Sequence, residues 1–312
     1  MNEYGPGVVE PMKKIVVSGA SGVLGAAIRA ELATRGKSVL QLVRGVAAAE
    51  GQLAWDPARW PALEGAERLE GCAAAIHLSG ANLAGSRWTE EYRREMVASR
   101  VDSTRALAKI LAGLRRPPRT LVVSSAVGIY GDRGDAVADE SSEPGDGFIA
   151  HLCRQWEAAA QPAVDAGIRV VHARFGVVLG RGSGALKKIL PLFRLGLGGR
   201  LGSGRQWMSW ISLEDAVAAV LFTVKTDSLG GPVNVTAPTP VTNAGFTKAL
   251  GRAVHRPAIL PAPAFALRIA LGQMADEALL TSTRAVPTRL IEAGFRFKYP
   301  NVEEALEAIR GN

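Results

Sequence analysis

Cysteine is nearly absent. Two residues in 312, Cys72 and Cys153, cannot build a disulfide framework and show no metal-ligand spacing. They read as small apolar fillers in a reducing, cytoplasmic setting. Histidine is scarce as well, with four in the chain, so no metal centre is expected. No apolar run approaches the ~20 residues that span a bilayer, so no membrane role is expected. Met1 to Pro11 holds no basic residue and no apolar run, unlike a secretory signal. Residues 1–11 read as a disordered extension, with the fold starting at about Met12.

Acid is the charge in shorter supply, 29 carboxylates against 37 Lys and Arg, for a net +8. The excess is spread along the chain. Its tightest cluster, Arg115, Arg116 and Arg119, is interrupted by Pro117 and Pro118. A nucleic-acid binder concentrates its charge on a recognisable module, so no nucleic-acid partner is expected. An anionic small ligand accounts for part of the excess.

What the chain does have is alternation. Lys14–Ser18 is a β-branched run, and Gly19–Gly25 is a glycine-rich turn. Leu24, Ile28 and Leu32 then recur as one helical face, which Gly36 is placed to stop. Further strands are expected at 38–43, 73–78, 120–124, 169–173 and 231–236. A long helix is expected from Thr89 to Pro117, and another around Trp156–Ala166. Ser212, with Glu214 and Asp215, and Asn301, with Glu304, mark helix starts. Strand and helix in turn specify an α/β fold, a Rossmann-type doubly wound parallel sheet with a smaller C-terminal α/β lobe. Residues 12–180 and 205–236 are assigned to the nucleotide-binding domain. Residues 181–204, including a mobile glycine-rich loop at 196–204, and 237–312 form the smaller lobe.

The glycine turn carries the strongest chemical signal. Gly19 permits the tight turn out of the strand, Gly22 lets a pyrophosphate approach the backbone, and Gly25 lets the helix pack on the sheet. Ser21, Val23 and Leu24 share that turn, whose N–H groups face the phosphates. An acid at the end of the second strand would select NAD. The residue there is Arg44, suited to a 2′-phosphate, so NADP(H) is the expected cofactor. Leu78, Ser79 and Gly80 close the expected strand 73–78 and face the same crevice.

The stretches Trp55-Asp56-Pro57, Arg87-Trp88-Thr89, 174–180, 201–211, 231–234 and 293–297 resemble the extended short-chain dehydrogenase/reductase superfamily. They fit its NAD-dependent epimerase/dehydratase type, in the branch sometimes labelled cell-division inhibitor. The resemblance runs from Lys14 to about Ile309. It implies a Rossmann domain, NADP binding, and further cofactor contacts at Glu95, Arg100 and Val178.

Active members of that superfamily use a Ser or Thr, a Tyr, and a Lys four residues after the Tyr. Here the matching helix reads Phe148 and Leu152. Ser125 and Tyr130 become the candidate catalytic pair, with packing as the alternative for Tyr130. His151 reads as a surface histidine and His77 as a satisfied core one. Asp132 and Glu140 are loop acids without an identifiable partner. Asn82, Arg87, Trp88, Arg205 and Trp207, with Arg200, Gln206 and Trp210 nearby, are candidates to hold a flat anionic substrate. Two functions stay open: an NADP-dependent oxidoreductase or epimerase-like enzyme acting on a small, possibly sugar-nucleotide-like substrate, or a non-catalytic redox-sensing protein. A homodimer is compatible with either.

Overall fold

A computed structural model describes residues 14–57, 63–181 and 184–311. The expected extension at 1–11 lies outside the described residues. Seven strands form one sheet. They are β1 (Ile15–Ser18), β2 (Val39–Val43), β3 (Gln52–Ala54), β4 (Ala74–His77), β5 (Thr120–Ala126), β7 (Arg169–Phe175) and β11 (Gly231–Val235), with order β11-β7-β5-β4-β1-β2-β3. Every pairing in it is parallel. β1 and β4 are fully buried and apolar except for Ser18 and His77, as expected of strands covered on both faces.

The chain runs outward from β1 through β2 to β3, then crosses back to β4 on the other side of β1. The switch point lies between β1 and β4, where open α/β sheets bind ligands. One face is covered by α1 (Val23–Thr34) and α7 (Leu213–Lys225), around Ile28, Leu32, Val122 and Val220. The other is covered by α2 (Glu90–Val97), α3 (Ser103–Ala112), α4 (Phe148–Ala158) and α5 (Gln161–Asp165), around Leu107, Leu121, Leu152 and Trp156. A single π turn at Ala98–Asp102 joins α2 to α3, so the long helix is continuous but locally widened.

A third apolar core lies beside the sheet. It combines α6 (Gly184–Arg194), α8 (Asn243–Ala253) and α11 (Val302–Gly311), through Leu186, Phe193, Trp210, Phe246, Leu250 and Leu306. Helix α9 (Ala264–Leu271) follows, and α10 (Thr288–Glu292) returns to the sheet, placing Leu290 in the core under α1 and α7. Three two-stranded pairs complete the fold: β6 (Val137–Ala138) with β13 (Arg284–Ala285), β8 (Val177–Leu179) with β10 (Trp210–Ser212), and β9 (Trp207–Met208) with β12 (Val241–Thr242).

The glycine-rich segment 196–204 is not the loose loop its composition suggests. It lies against 260–262, with Leu260 N–H donating to Gly198 O at 3.1 Å and Ala262 N–H to Arg200 O at 2.9 Å. A side chain at Gly199 would overlap the Leu260 carbonyl, so glycine serves close approach here.

Candidate active site

The turn after β1 is built by three glycines with three different reasons. Gly19 has φ +68°, and a Cβ there would stand 2.6 Å from the Leu78 carbonyl carbon. It therefore seats the end of β1 against the end of β4. A Cβ on Gly25 would overlap Gly19 O, so Gly25 closes the helix onto the turn. Gly22 is the N-cap of α1, its N–H donating to Gly19 O at 3.0 Å, with no side-chain cap.

Other helix starts contrast with it. Thr89 caps α2, Ser212 caps α7 and Thr242 caps α8, each accepting from a backbone N–H of its own first turn. At α1 the N–H groups of Val23, Leu24 and Gly25 have no such acceptor among the described residues, and the partial positive charge of the helix start faces outward. Ser21 and Val23 are exposed and Leu24 is half-buried. Arg44 follows β2, is exposed and forms no ion pair among the described residues.

Across the switch point, Leu78 and Ser79 are half-buried and Gly80 is exposed. Beneath them lies Arg100, only 7% exposed. The π turn carries it. Its Nη2 donates to Ala81 O at 2.8 Å, its Nη1 to Met96 O at 3.3 Å, and its guanidinium sits 5.1 Å over the Trp156 ring. No carboxylate pairs with it among the described residues, and burial lowers its affinity for a proton. A Cβ on Gly80 would meet that guanidinium at 3.1 Å. Glu95 is exposed on α2, and Val178 is half-buried on β8.

The two hydroxyls expected to do chemistry are placed in the interior. Ser125 is 2% exposed and Tyr130 is 0% exposed. Ser125 Oγ donates to Glu157 Oε1 at 2.7 Å. Glu157 takes both Nε and Nη2 of Arg174 at 2.9 Å. Arg174 Nη1 donates to Tyr130 OH at 3.0 Å, and Tyr130 OH donates to Asn234 Oδ1 at 2.8 Å. Asn234 N–H then donates to Glu140 Oε1 at 2.9 Å. The chain Ser125–Glu157–Arg174–Tyr130–Asn234–Glu140 ties β5, α4, β7 and β11 together. Burial raises the Tyr130 hydroxyl above its ordinary range, against the pull of Arg174. Both hydroxyls of the expected Ser125/Tyr130 pair are engaged in a buried ionic network. Glu140 does have partners, and they come from β11 and from Arg289 N–H.

At the start of α4 the expected Tyr position holds Phe148. Its ring packs edge-on to Trp88 with centroids 5.6 Å apart. Trp88 is buried, with its indole N–H donated to Leu83 O at 2.8 Å. Little of its ring therefore reaches solvent. Leu152 is buried.

The helix start itself is capped from far away. Glu277 accepts the N–H groups of Phe148 and Ile149, at 3.1 and 2.8 Å. Gly147, at φ +99°, leaves room for that carboxylate. Asn82, Arg87 and Arg205 are exposed, and Asn82 Oδ1 accepts Ala84 N–H. Trp207 is held by Asp135, which accepts its indole N–H at 2.8 Å, and by Arg284 4.1 Å over the ring. Gln206 bonds Leu201 O and Leu279 O, and Trp210 is fully buried. His151 is exposed.

His77 is a satisfied core histidine. Ser103 Oγ donates to Ser99 O, so it accepts from His77 Nε2 at 3.1 Å; Nδ1 then accepts from Ser18 at 2.5 Å. No group of His, Cys, Asp and Glu that could hold a metal occurs among the described residues. Among the described residues, no helix is long and apolar enough to cross a membrane.

A glycine turn at the switch of a seven-stranded parallel sheet, with a second small core after it, is matched by known sequences. The profile described as the NAD dependent epimerase/dehydratase family covers residues 15–236, and a domain of unknown function covers 262–309. The chain belongs to the NAD-dependent epimerase/dehydratase family. An epimerase family protein of Mycobacterium bovis is 45% identical over 296 residues, covering 94% of this chain and 96% of that protein. The human epimerase family protein SDR39U1, crystallised with NADPH, superimposes with TM-score 0.88 at 33% identity, over 96% of this chain and 99% of that one. A nucleoside-diphosphate sugar epimerase from Corynebacterium glutamicum gives TM-score 0.79 at 35% identity, over 96% of this chain and 58% of its own.

Proposed function

We propose that this chain binds NADP(H) across the β1–β4 switch point. The observation that carries the reading is the uncapped start of α1, where Gly19, Gly22 and Gly25 clear a cradle and leave backbone N–H groups facing it. Exposed Arg44 would take the 2′-phosphate. Arg100, a buried cation without a carboxylate partner, would supply counter-charge under the Leu78–Ala81 loop. Ser21 would add a hydrogen bond to phosphate, and Val178 would line the crevice. The NADPH in the human relative supports the same choice of coenzyme. When bound, the nicotinamide would give or accept hydride at a substrate carbon.

The substrate would be a small oxygenated molecule, entering past Asn82, Arg87 and the Phe148–Trp88 pair. Ser125 and Tyr130 would hold the sheet in register. Neither would exchange a proton with substrate. The enzyme would then be an oxidoreductase or epimerase-like protein that works without the tyrosine relay.

The burial of Tyr130 also favours a second reading, a protein that holds NADP(H) and responds to its redox state without turnover. Calorimetry with NADPH and NADH tests the shared part. NADPH should bind more tightly, Arg44→Asp should weaken NADPH far more than NADH, and Gly25→Val should abolish both. No heat with either coenzyme overturns the proposal. Loss of nicotinamide absorbance across a panel of carbonyl compounds and sugar nucleotides then separates enzyme from sensor.

A further inference from the structure

A groove of about 850 Å³ lies on the outer side of the third core, between α8 and the loop at 255–261. Four fixed cations line it: Arg200, Lys248, Arg252 and Arg256. None of its described lining residues is acidic. The glycine turn and the Leu78–Ala81 loop contribute nothing to it. Its size falls in the range of small-molecule sites, roughly 300–1,000 Å³.

The groove is shaped by the local chain. Ala244, Lys248, Gly251, Arg252 and His255 recur at helical spacing, so small and basic residues share one stripe of α8 and its exit. His255, at φ +54°, is the one non-glycine residue at positive φ among the described residues. It ends α8 with His255 N–H on Arg252 O and Arg256 N–H on Gly251 O, both 3.0 Å. A glycine would relieve that backbone at no steric cost. A Cβ on Gly251 would meet Ala258 Cβ at 2.9 Å, so the glycine lets the loop fold back against the helix.

The loop then presents Pro257, Ile259 and Pro261 as an apolar rim, with Ile259 75% exposed. Arg256 is aimed by two neutral carbonyls, Arg194 O and His255 O, each at 3.2 Å. Lys248 and Arg252 form no ion pair among the described residues. Surface cations normally lie among acids that offset them. Four in one concavity, unpaired and beside an apolar edge, match an anion attached to an apolar body.

We propose that this groove binds a phosphorylated small molecule, with the phosphoryl group on Lys248, Arg252, Arg256 and Arg200 and its organic part against Ile259 and the prolines. The site is separate from the cofactor crevice.

Calorimetry on the full chain at physiological salt, with phenyl phosphate and inorganic phosphate as probes, tests this with and without NADPH. Phenyl phosphate should bind saturably and more tightly than inorganic phosphate, and NADPH should leave its affinity unchanged. The double variant Lys248→Gln/Arg252→Gln, at exposed positions that leave melting unchanged, should weaken it at least about tenfold. Arg44→Asp should not. No saturable binding, an unchanged affinity in the double variant, or competition by NADPH would each overturn the proposal. So would binding of a random single-stranded oligonucleotide without any response to phenyl phosphate.

Discussion

Arg174 and Glu157 face each other inside the protein as a two-pronged ion pair, 2.9 Å at both prongs, with side chains 8% and 13% exposed. The pair is satisfied at its edges by Ser125 and Tyr130, so its members act as a unit. Glu157→Ala would strand the guanidinium and should cost about 3–5 kcal/mol in urea unfolding. Ser125→Ala should cost about 1 kcal/mol, and Tyr130→Phe about 1–3 kcal/mol because Arg174 and Asn234 each lose a partner. If either variant instead kept full stability and lost turnover, the catalytic assignment would return.

Arg100 gives a different expectation. Arg100→Met keeps an apolar stem against Trp156 and removes a buried cation that has only carbonyl and aromatic partners. Stability should change little or rise, while NADPH affinity should fall by about tenfold or more. Unfolding curves and coenzyme titration on the same variant check both halves.

His77 makes stability depend on pH. Burial pushes its ring down to about 3 from an ordinary 6.5. Between those values the unfolded chain takes up a proton that the folded chain refuses. Stability therefore falls as pH drops through that window, by about 1.4 kcal/mol per pH unit for this group, and is indifferent to it at higher pH. Because other groups titrate in the same range, the measurement is the difference between the parent chain and His77→Gln. The variant should show the shallower acid slope.

Both thiols should be silent in the folded chain. Burial raises Cys72, and it pushes Cys153 up to about 12. Alkylation near neutral pH should proceed only as the protein unfolds. Rapid labelling of either thiol in native buffer would show that its surroundings open more readily than the packing implies.

The first βαβ unit was readable because its signals are local. β-branched residues, three spaced glycines and an apolar stripe lie within twenty residues of one another. β3 escaped notice because it is three residues on the sheet edge. The beginning of α4 was obscured for another reason. Gly145 and Gly147 precede it, and its cap, Glu277, lies 128 residues beyond Ile149. The reading of a helix around Trp156–Ala166 therefore started late and ran across a break at Ala159–Ala160. Ser125 and Tyr130 stood where chemistry was expected. Their true partners, Glu157 and Asn234, are 32 and 104 residues away, and no spacing rule links them. The π turn that presents Arg100 likewise leaves no mark in the pattern, since its residues continue the helical stripe.

The carboxylate of Glu277 has a consequence for where charged molecules can dock. It fills the amide pocket at the head of α4 with an anion from the chain itself, brought in from the C-terminal segment. A phosphate arriving there would find the seat taken. At the head of α1 no described residue plays such a tenant, so of these two similar doorways that one is left open to a visitor.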